Sequence, residues 1–489
     1  MKKIFIIIIV FYTFLVSCQD WLEESPKAVA AETFYNTTGE ADAAVLASLY
    51  KLRSFFSAAN WLTLYPSFMI SFADYSYGRG SWEANSDYVG LNTQNVQRSD
   101  EMWTYLYQAV RDCNIAIDRL PLASDMNENQ INSYLGELRF IRGFTYYHLV
   151  RLYGAVPLRT EMNMQEWDME RSSVNSIYTF IIEDLEFAQT HCPQTERIAG
   201  TPSRMAAKSL LAQVYMELKD YTKAMNLLKE VVDSKRYSLI PVSNSREFEK
   251  IFGADANNTT EEVFYMKMNH LLGWNYVQMA AHPGALINGR PMLSTGAGFY
   301  GHYTRPDNPV IAGWDDNDLR KEYNLLPFDI GMGFDTYLLV KFYDPDAPDG
   351  YSASNDYPLI RYTDVMMLYA EAITMANGAP NDVAMEQINM IHRRGYGYDP
   401  NVASVVDFRL EDYATQELFI NLIVKEHAYE EFNETKRWFF LIRLGIAAKV
   451  IKEVKGIDIA EKHYLFPIPA AEFTYNKALD PVRDQNPGY

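Results

Sequence analysis

Cysteine is scarce in this chain of 489 residues: Cys18, Cys113 and Cys192 are all there are. A disulfide framework needs more of them in a smaller chain, so the fold must rest on a buried core. Cys113 and Cys192 sit in helical patterns and read as packing residues. Positive charge is also short. Lysine and arginine number 44 against 63 aspartates and glutamates, a formal net charge of −19. A surface of that sign repels phosphates and argues against a nucleic-acid partner. Apolar runs that could span a bilayer, about 20 residues, are missing too.

Catalytic and metal signatures are equally thin. His427, Glu430 and Glu431 share helical spacing, but neither HExxH nor HxxEH accompanies them, so they read as a solvated charged face. Gly296-Ala297-Gly298-Phe299-Tyr300-Gly301 has the form G-x-G-x-x-G, yet Pro306 and Pro309 follow where a dinucleotide site needs a helix. Asp344, Asp346, Asp349 and Gly350 fail as a calcium loop, because Pro345 and Pro348 interrupt it and Asn355 stands where a glutamate should close it. Asp315, Asp316 and Asp318 offer oxygens without a recognisable frame. A structural calcium ion in these loops is left open, and no other cofactor is expected. No pattern nominates a pair of acids for glycoside hydrolysis, and no enzyme is expected.

What is abundant is the aromatic ring. Phe, Trp and Tyr make up 14% of the chain, with 35 tyrosines. That is more than a helical core needs, so some rings are expected on display.

Met1-Lys2-Lys3 opens with charge, the apolar run IFIIIIVFYTFLV follows, and Ser17-Cys18 closes it. This is the three-part plan of an export signal. Leu15-Val16-Ser17-Cys18 has the form of a lipobox, with Cys18 as the thiol that takes the lipid. Losing residues 1–17 removes two lysines and no acid and moves the formal charge from −19 to −21. Several acyl chains tie a protein to a membrane without spanning it.

Helical periodicity dominates the rest. It predicts helices over Ala41–Phe56, Met102–Leu120, Leu138–Gly154, Asn175–Cys192, Leu359–Asn377 and Val383–Arg394. In the Leu138–Gly154 helix, Leu138, Ile141, Thr145, His148 and Leu152 form a stripe. Arg139, Arg142 and Arg151 ride beside it, stems on the apolar face and heads in water. Thr201–Asp233 has the spacing of a tetratricopeptide pair, with Thr201-Pro202 as cap and first turn and Lys219-Asp220-Tyr221 as the link. One such pair cannot hide its apolar faces and must stack on others. From 236 to 358 the periodicity fades, rings and turn residues crowd in, and Val263–Met268 and Tyr337–Phe342 read as short strands. Regions 40–235 and 359–445 are therefore the expected helical scaffold, 236–358 a loop-rich excursion, and 446–489 an extended tail, all in one domain from residue 18.

The wording of three stretches points to a family. LRFIRGFTYYHLVRLYGAVP (138–157), EHAYEEFNETKRWFFLIRLG (426–445), and the ending LFPIP with NPGY (465–469, 486–489) resemble segments of the RagB/SusD family. Departures fall at Gly143, Thr435 and Phe440, where that family has alanine, glycine and aspartate. The resemblance implies a mainly α fold on tetratricopeptide-type helix pairs. It further implies a lipid-anchored protein on the outer membrane, facing the exterior. Such a protein captures a glycan and hands it to a SusC-like TonB-dependent transporter. A peptide ligand, as in RagB-like relatives, is the second reading, and a secreted glycan-active enzyme the third. Ligand contacts are implied in two turn-rich regions. Tyr75, Tyr77, Arg79 and Trp82 are the candidates in the first. Trp274, Asn275, Tyr300 and Trp314 are those in the second.

Overall fold

A computed structural model describes residues 34–56, 65–294 and 296–489. The expected leader and Cys18 lie outside them. The fold is mainly α. Nine helices form its scaffold: α1 (Thr38–Phe56), α2 (Thr93–Arg119), α3 (Glu128–Tyr153), α4 (Val174–His191), α5 (Arg204–Glu217), α6 (Tyr221–Asp233), α7 (Tyr362–Asn377), α8 (Asp382–Gly395) and α9 (Gln416–Glu430). Each packs on the next along the chain. That nearest-neighbour order is the solenoid logic by which half-buried helix pairs cover one another.

The caps explain most boundaries. Asn127 and Gln130 form a reciprocal capping box that starts α3 ten residues before the predicted point. Ser203, rather than Thr201, caps α5 by accepting from the Ala206 amide at 3.2 Å, so Pro202 precedes the helix instead of opening it. Lys219, at φ 61°, makes the turn into α6, and Asp220 caps it through the Lys223 amide at 3.2 Å.

The α3 stripe is buried as predicted, but so is Arg142 of the arginine flank, while Arg139 and Arg151 stay part-exposed. Arg142 does not keep its head in water. Its Nε and Nη2 each donate at 2.8 Å to Asp184 of α4, and Nη1 donates at 2.7 Å to Asn114 of α2. With a helix on either side, α3 has no solvent face along that stretch, and a buried guanidinium then needs acids and amides around it. Gly143 belongs to the same contact: a Cβ there would lie 3.3 Å from Leu185.

Between α6 and α7 the chain forms short strands. They are β2 (Glu262–Met266), β3 (Leu286–Ile287), β4 (Arg290–Pro291), β5 (His302–Thr304), β6 (Leu325–Pro327), β7 (Tyr337–Leu339) and β8 (Tyr357–Arg361); β1 (Tyr77–Gly78) comes earlier, from the first turn-rich piece. A four-stranded sheet has the order β1-β5-β7-β6, β2 pairs antiparallel with β8, and β3 with β4. Strand β8 occupies the start of the predicted Leu359–Asn377 helix, which begins only at Tyr362 because the preceding residues are taken up by the β2 ladder.

His427, Glu430 and Glu431 are buried, not solvated. Glu430 accepts from Arg361 at 3.0 Å and from Arg394, and Arg320 reaches both Glu426 at 3.0 Å and Glu430 at 3.3 Å. Arg320, with His392 beside it, holds the Glu426 carboxyl down to about 2 despite its burial. The tail is not wholly extended either, since Ala447–Lys455 and Ala470–Tyr475 are helical. Its end is pinned to α3: Asn486 Nδ2 donates to the carbonyls of Tyr153 at 2.9 Å and Phe466 at 2.7 Å.

A ring-lined ledge as candidate functional site

The segment that reads as G-x-G-x-x-G builds a shelf, not a phosphate loop. Its backbone lies along the short helix Tyr276–Ala280: Phe299 N donates to Gln278 O at 2.9 Å, Tyr300 N to Ala281 O at 3.0 Å, and Gly301 N to Met279 O at 2.8 Å. Gly298 is required by the approach itself, because a Cβ there would stand 2.2 Å from the Ala281 carbonyl oxygen. Tyr300 sits at φ 36°, a left-handed value that tyrosine seldom takes. Phe299, 48% exposed, and the part-exposed Tyr300 are thereby turned outward.

Two ring clusters lie on and beside the four-stranded sheet. In the first, the Arg79 guanidinium lies 4.0 Å above Tyr300, Tyr300 packs on His282 at 4.4 Å, and His282 on Phe328 at 4.5 Å. Burial and then the neighbouring Arg79 charge push the His282 pKa down, so the imidazole is neutral near pH 7. In the second, Tyr77 stacks on Tyr303 at 5.7 Å, their strands in register, and Arg305 covers Phe334 at 4.8 Å. Arg79 N donates to Gly301 O at 2.8 Å and stitches the two turn-rich regions together. The result is a shallow surface of aromatic faces edged by guanidinium and imidazole donors.

Of the residues expected from the sequence, Tyr77, Arg79 and Tyr300 belong to this ledge. The others lie in the core, which corrects the expectation that they are displayed. Trp82 meets Phe68 edge-on at 5.3 Å with Arg98 4.1 Å over its ring, and Trp314 stacks on Tyr429 at 4.6 Å. Trp274 fills the gap between Tyr276 and Tyr357, at 5.3 and 4.9 Å. Tyr75 stacks on Phe432 at 4.3 Å and its hydroxyl accepts from the Asn433 amide at 2.9 Å. Asn275 is 2% exposed. The physical reason is common to all: an irregular segment laid on a helical scaffold must anchor itself, and its largest rings do so. Sequence reasoning missed His282, Arg305 and Phe334. The only signal was their place beside turn residues, Pro283-Gly284, Pro306 and Gly333.

The acid-rich loops are committed elsewhere. Asp344 is fully buried and its carboxylate accepts from Ser354 N at 2.8 Å, Ser354 Oγ at 3.0 Å and Asp346 N at 3.1 Å. Asp318 caps Leu319–Asn324 and pairs with Arg320 at 2.7 Å. Among the described residues, no three His, Cys, Asp or Glu side chains converge in a way that could hold a metal ion.

Two family models match the chain. One, described as starch-binding and associating with the outer membrane, covers residues 20–216, and the other, the SusD family, covers 276–489. The chain belongs to the RagB/SusD family. A curated relative, SusD-like protein P2 of Formosa agariphila, is 28% identical over the full length of both chains. SusD-like protein P25 of the same organism is 23% identical over 98% of this chain and 99% of its own. Solved structures share the fold. A SusD homolog from Bacteroides thetaiotaomicron superposes with a TM-score of 0.76 at 20% identity, over 94% of this chain and 98% of its own. A laminarin-binding SusD-like protein gives 0.76 at 20%, over 93% and 100%. Surface glycan-binding protein A from B. thetaiotaomicron, solved with laminarihexaose, gives 0.74 at 18%, over 92% and 99%.

Proposed function

We propose that this RagB/SusD-family chain is a glycan-capturing lipoprotein of the outer membrane, acylated at Cys18. It hands its ligand to a SusC-like TonB-dependent transporter. The observation that carries the glycan reading is the ledge. Sugar rings present apolar C–H faces bordered by hydroxyls, and the rings of Tyr77, Tyr300 and Phe299 beside Arg79 and His282 answer both parts. Relatives of the same fold that bind laminarin and laminarihexaose support the ligand class. Membrane attachment rests on the leader and on the family description, and no helix of the described residues is long and apolar enough to cross a bilayer.

The test is calorimetric titration of the purified protein with a panel of oligosaccharides, laminari-oligosaccharides first, and with short peptides. Saturable glycan binding that Tyr300→Ala weakens supports the proposal. Binding of peptides alone transfers it to the RagB-like reading, and turnover of a bound glycan by the purified protein revives the enzyme. Mass spectrometry of the membrane-extracted chain reads acylation at Cys18 directly.

A further inference from the structure

A cavity of about 110 Å³ lies inside the helical scaffold, between α3, α5, α7 and the segment after α9. It shares no lining residue with the ledge. Much of its wall is apolar, with Phe56, Tyr65, Phe144 and Phe439 among the lining. Part-exposed Gln213, Glu217 and Leu368 mark its mouth.

Its charged groups are unevenly paired. Arg443 donates to Glu371 at 2.8 Å and Lys436 to Asp364 at 2.5 Å, so those two cations are matched. Arg151 is not. Its guanidinium is held between the rings of Tyr147 and Phe439, 3.7 and 4.4 Å from their centroids, and its one hydrogen bond among the described residues runs from Nε to Tyr147 O at 3.1 Å. Rings cover its faces, and the acid that acts on it, Glu217, does so through space, without a close ion pair among the described residues on the edge of the fork that takes a carboxylate. Glu217, also in the lining, accepts from the Tyr147 hydroxyl at 3.2 Å and otherwise meets the Arg151 and Arg443 charges through space. His427 Nδ1, on a residue 6% exposed, ends there without a hydrogen bond among the described residues, and Glu431 Oε2 has Lys436 Nζ and His427 Nε2 no closer than 3.7 Å. Buried polar groups left in this state are costly unless something fills the space between them.

We infer that this cavity is a second binding site, separate from the ledge, for a compact zwitterion: a free α-amino acid with a small apolar side chain. Its carboxylate meets the open edge of Arg151. Its ammonium lies toward Glu217, and its side chain rests on the phenyl rings. A neutral polyol would leave the guanidinium unmatched, and a simple anion would leave the carboxyl side unmatched.

The test is isothermal titration of the purified protein with L-alanine and L-valine. N-acetyl-L-alanine, which lacks the ammonium, L-alaninamide, which lacks the carboxylate, and glycerol run beside them. Saturable binding of the amino acids is expected, at least about tenfold tighter than either blocked form, and unchanged in saturating oligosaccharide. Glu217→Gln and Arg151→Lys are expected to weaken it by a similar factor while leaving oligosaccharide affinity untouched. Absence of binding by either amino acid overturns the inference. So does equal binding of the blocked forms or glycerol, competition by the oligosaccharide, or full affinity in a folded Glu217→Gln variant. The ligand panel on the unmodified protein decides the matter even if a variant fails to fold, and it does so whether or not the ledge binds glycan.

Discussion

Arg361 meets Glu434 side-on: Nε and Nη2 of the guanidinium donate at 2.8 Å to the two oxygens of the carboxylate, and both residues are fully buried. The pair joins strand β8 to the segment after α9, and Lys341 and Glu261 complete the cluster. Breaking such a pair leaves a charge in the core with no solvent to take it. Arg361→Met is therefore expected to cost about 3–5 kcal/mol, read as a fall in the denaturant midpoint at unchanged slope.

The ledge gives the opposite signature. Tyr300→Ala removes the ring under Arg79 and beside His282 but opens no core cavity, since the side chain is part-exposed. Affinity for the preferred oligosaccharide is expected to fall about tenfold, near 1.4 kcal/mol, with the melting temperature held. Arg79→Ala is expected to act in the same direction and more weakly. Calorimetry paired with thermal melts checks both.

The buried tryptophans behave as core. Trp82→Ala and Trp314→Ala are expected to lower stability by about 3–5 kcal/mol. Any loss of glycan affinity should track the unfolded fraction. A variant of either that melts normally and binds poorly would return that ring to the ligand surface.

Acid weakens the sheet under the ledge. His302 of β5 is fully buried between Trp82 and Tyr276, and desolvation pulls its pKa from 6.5 to about 3. Below pH 6.5 the unfolded chain takes up a proton that the folded chain refuses, so stability is lost as pH falls from 6.5 toward 3. His302→Leu is expected to fall less steeply over that window. Denaturant midpoints measured at several pH values give the slope.

The helices were legible because an amphipathic stripe repeats every turn within one local stretch, as Leu138, Ile141 and Leu152 do in α3. The family was legible because its wording survives at the positions that lock elements together. Asn486 holds the end of α3, and Arg437 donates to Asp74 at 3.0 and 2.7 Å. What could not be read was burial that depends on a distant partner. Arg142 looks solvated until Asp184 and Asn114 are set around it, and Glu430 until three arginines from other elements arrive. The same holds for the tryptophans: a ring in a turn-rich segment looks displayed when nothing nearby says what it lies on. Thr435, at φ 68°, marks where the family glycine would be at ease; the hydrogen bond between its hydroxyl and Tyr357 holds it there.

The sheet that carries the ledge draws its strands from distant parts of the polypeptide, residues 77–78 and 302–339. Thr304 Oγ1 donates to Tyr75 O across 229 positions, and Asn308 Nδ2 to the Tyr77 hydroxyl across 231. Contacts of that span form late, after the intervening helices have closed the loop between them. The ledge is therefore completed in the middle of the chain's emergence, after α1–α6 and before α7–α9, and a fragment ending before residue 300 holds Tyr77 and Arg79 without Tyr300, Tyr303 and Arg305 to meet them.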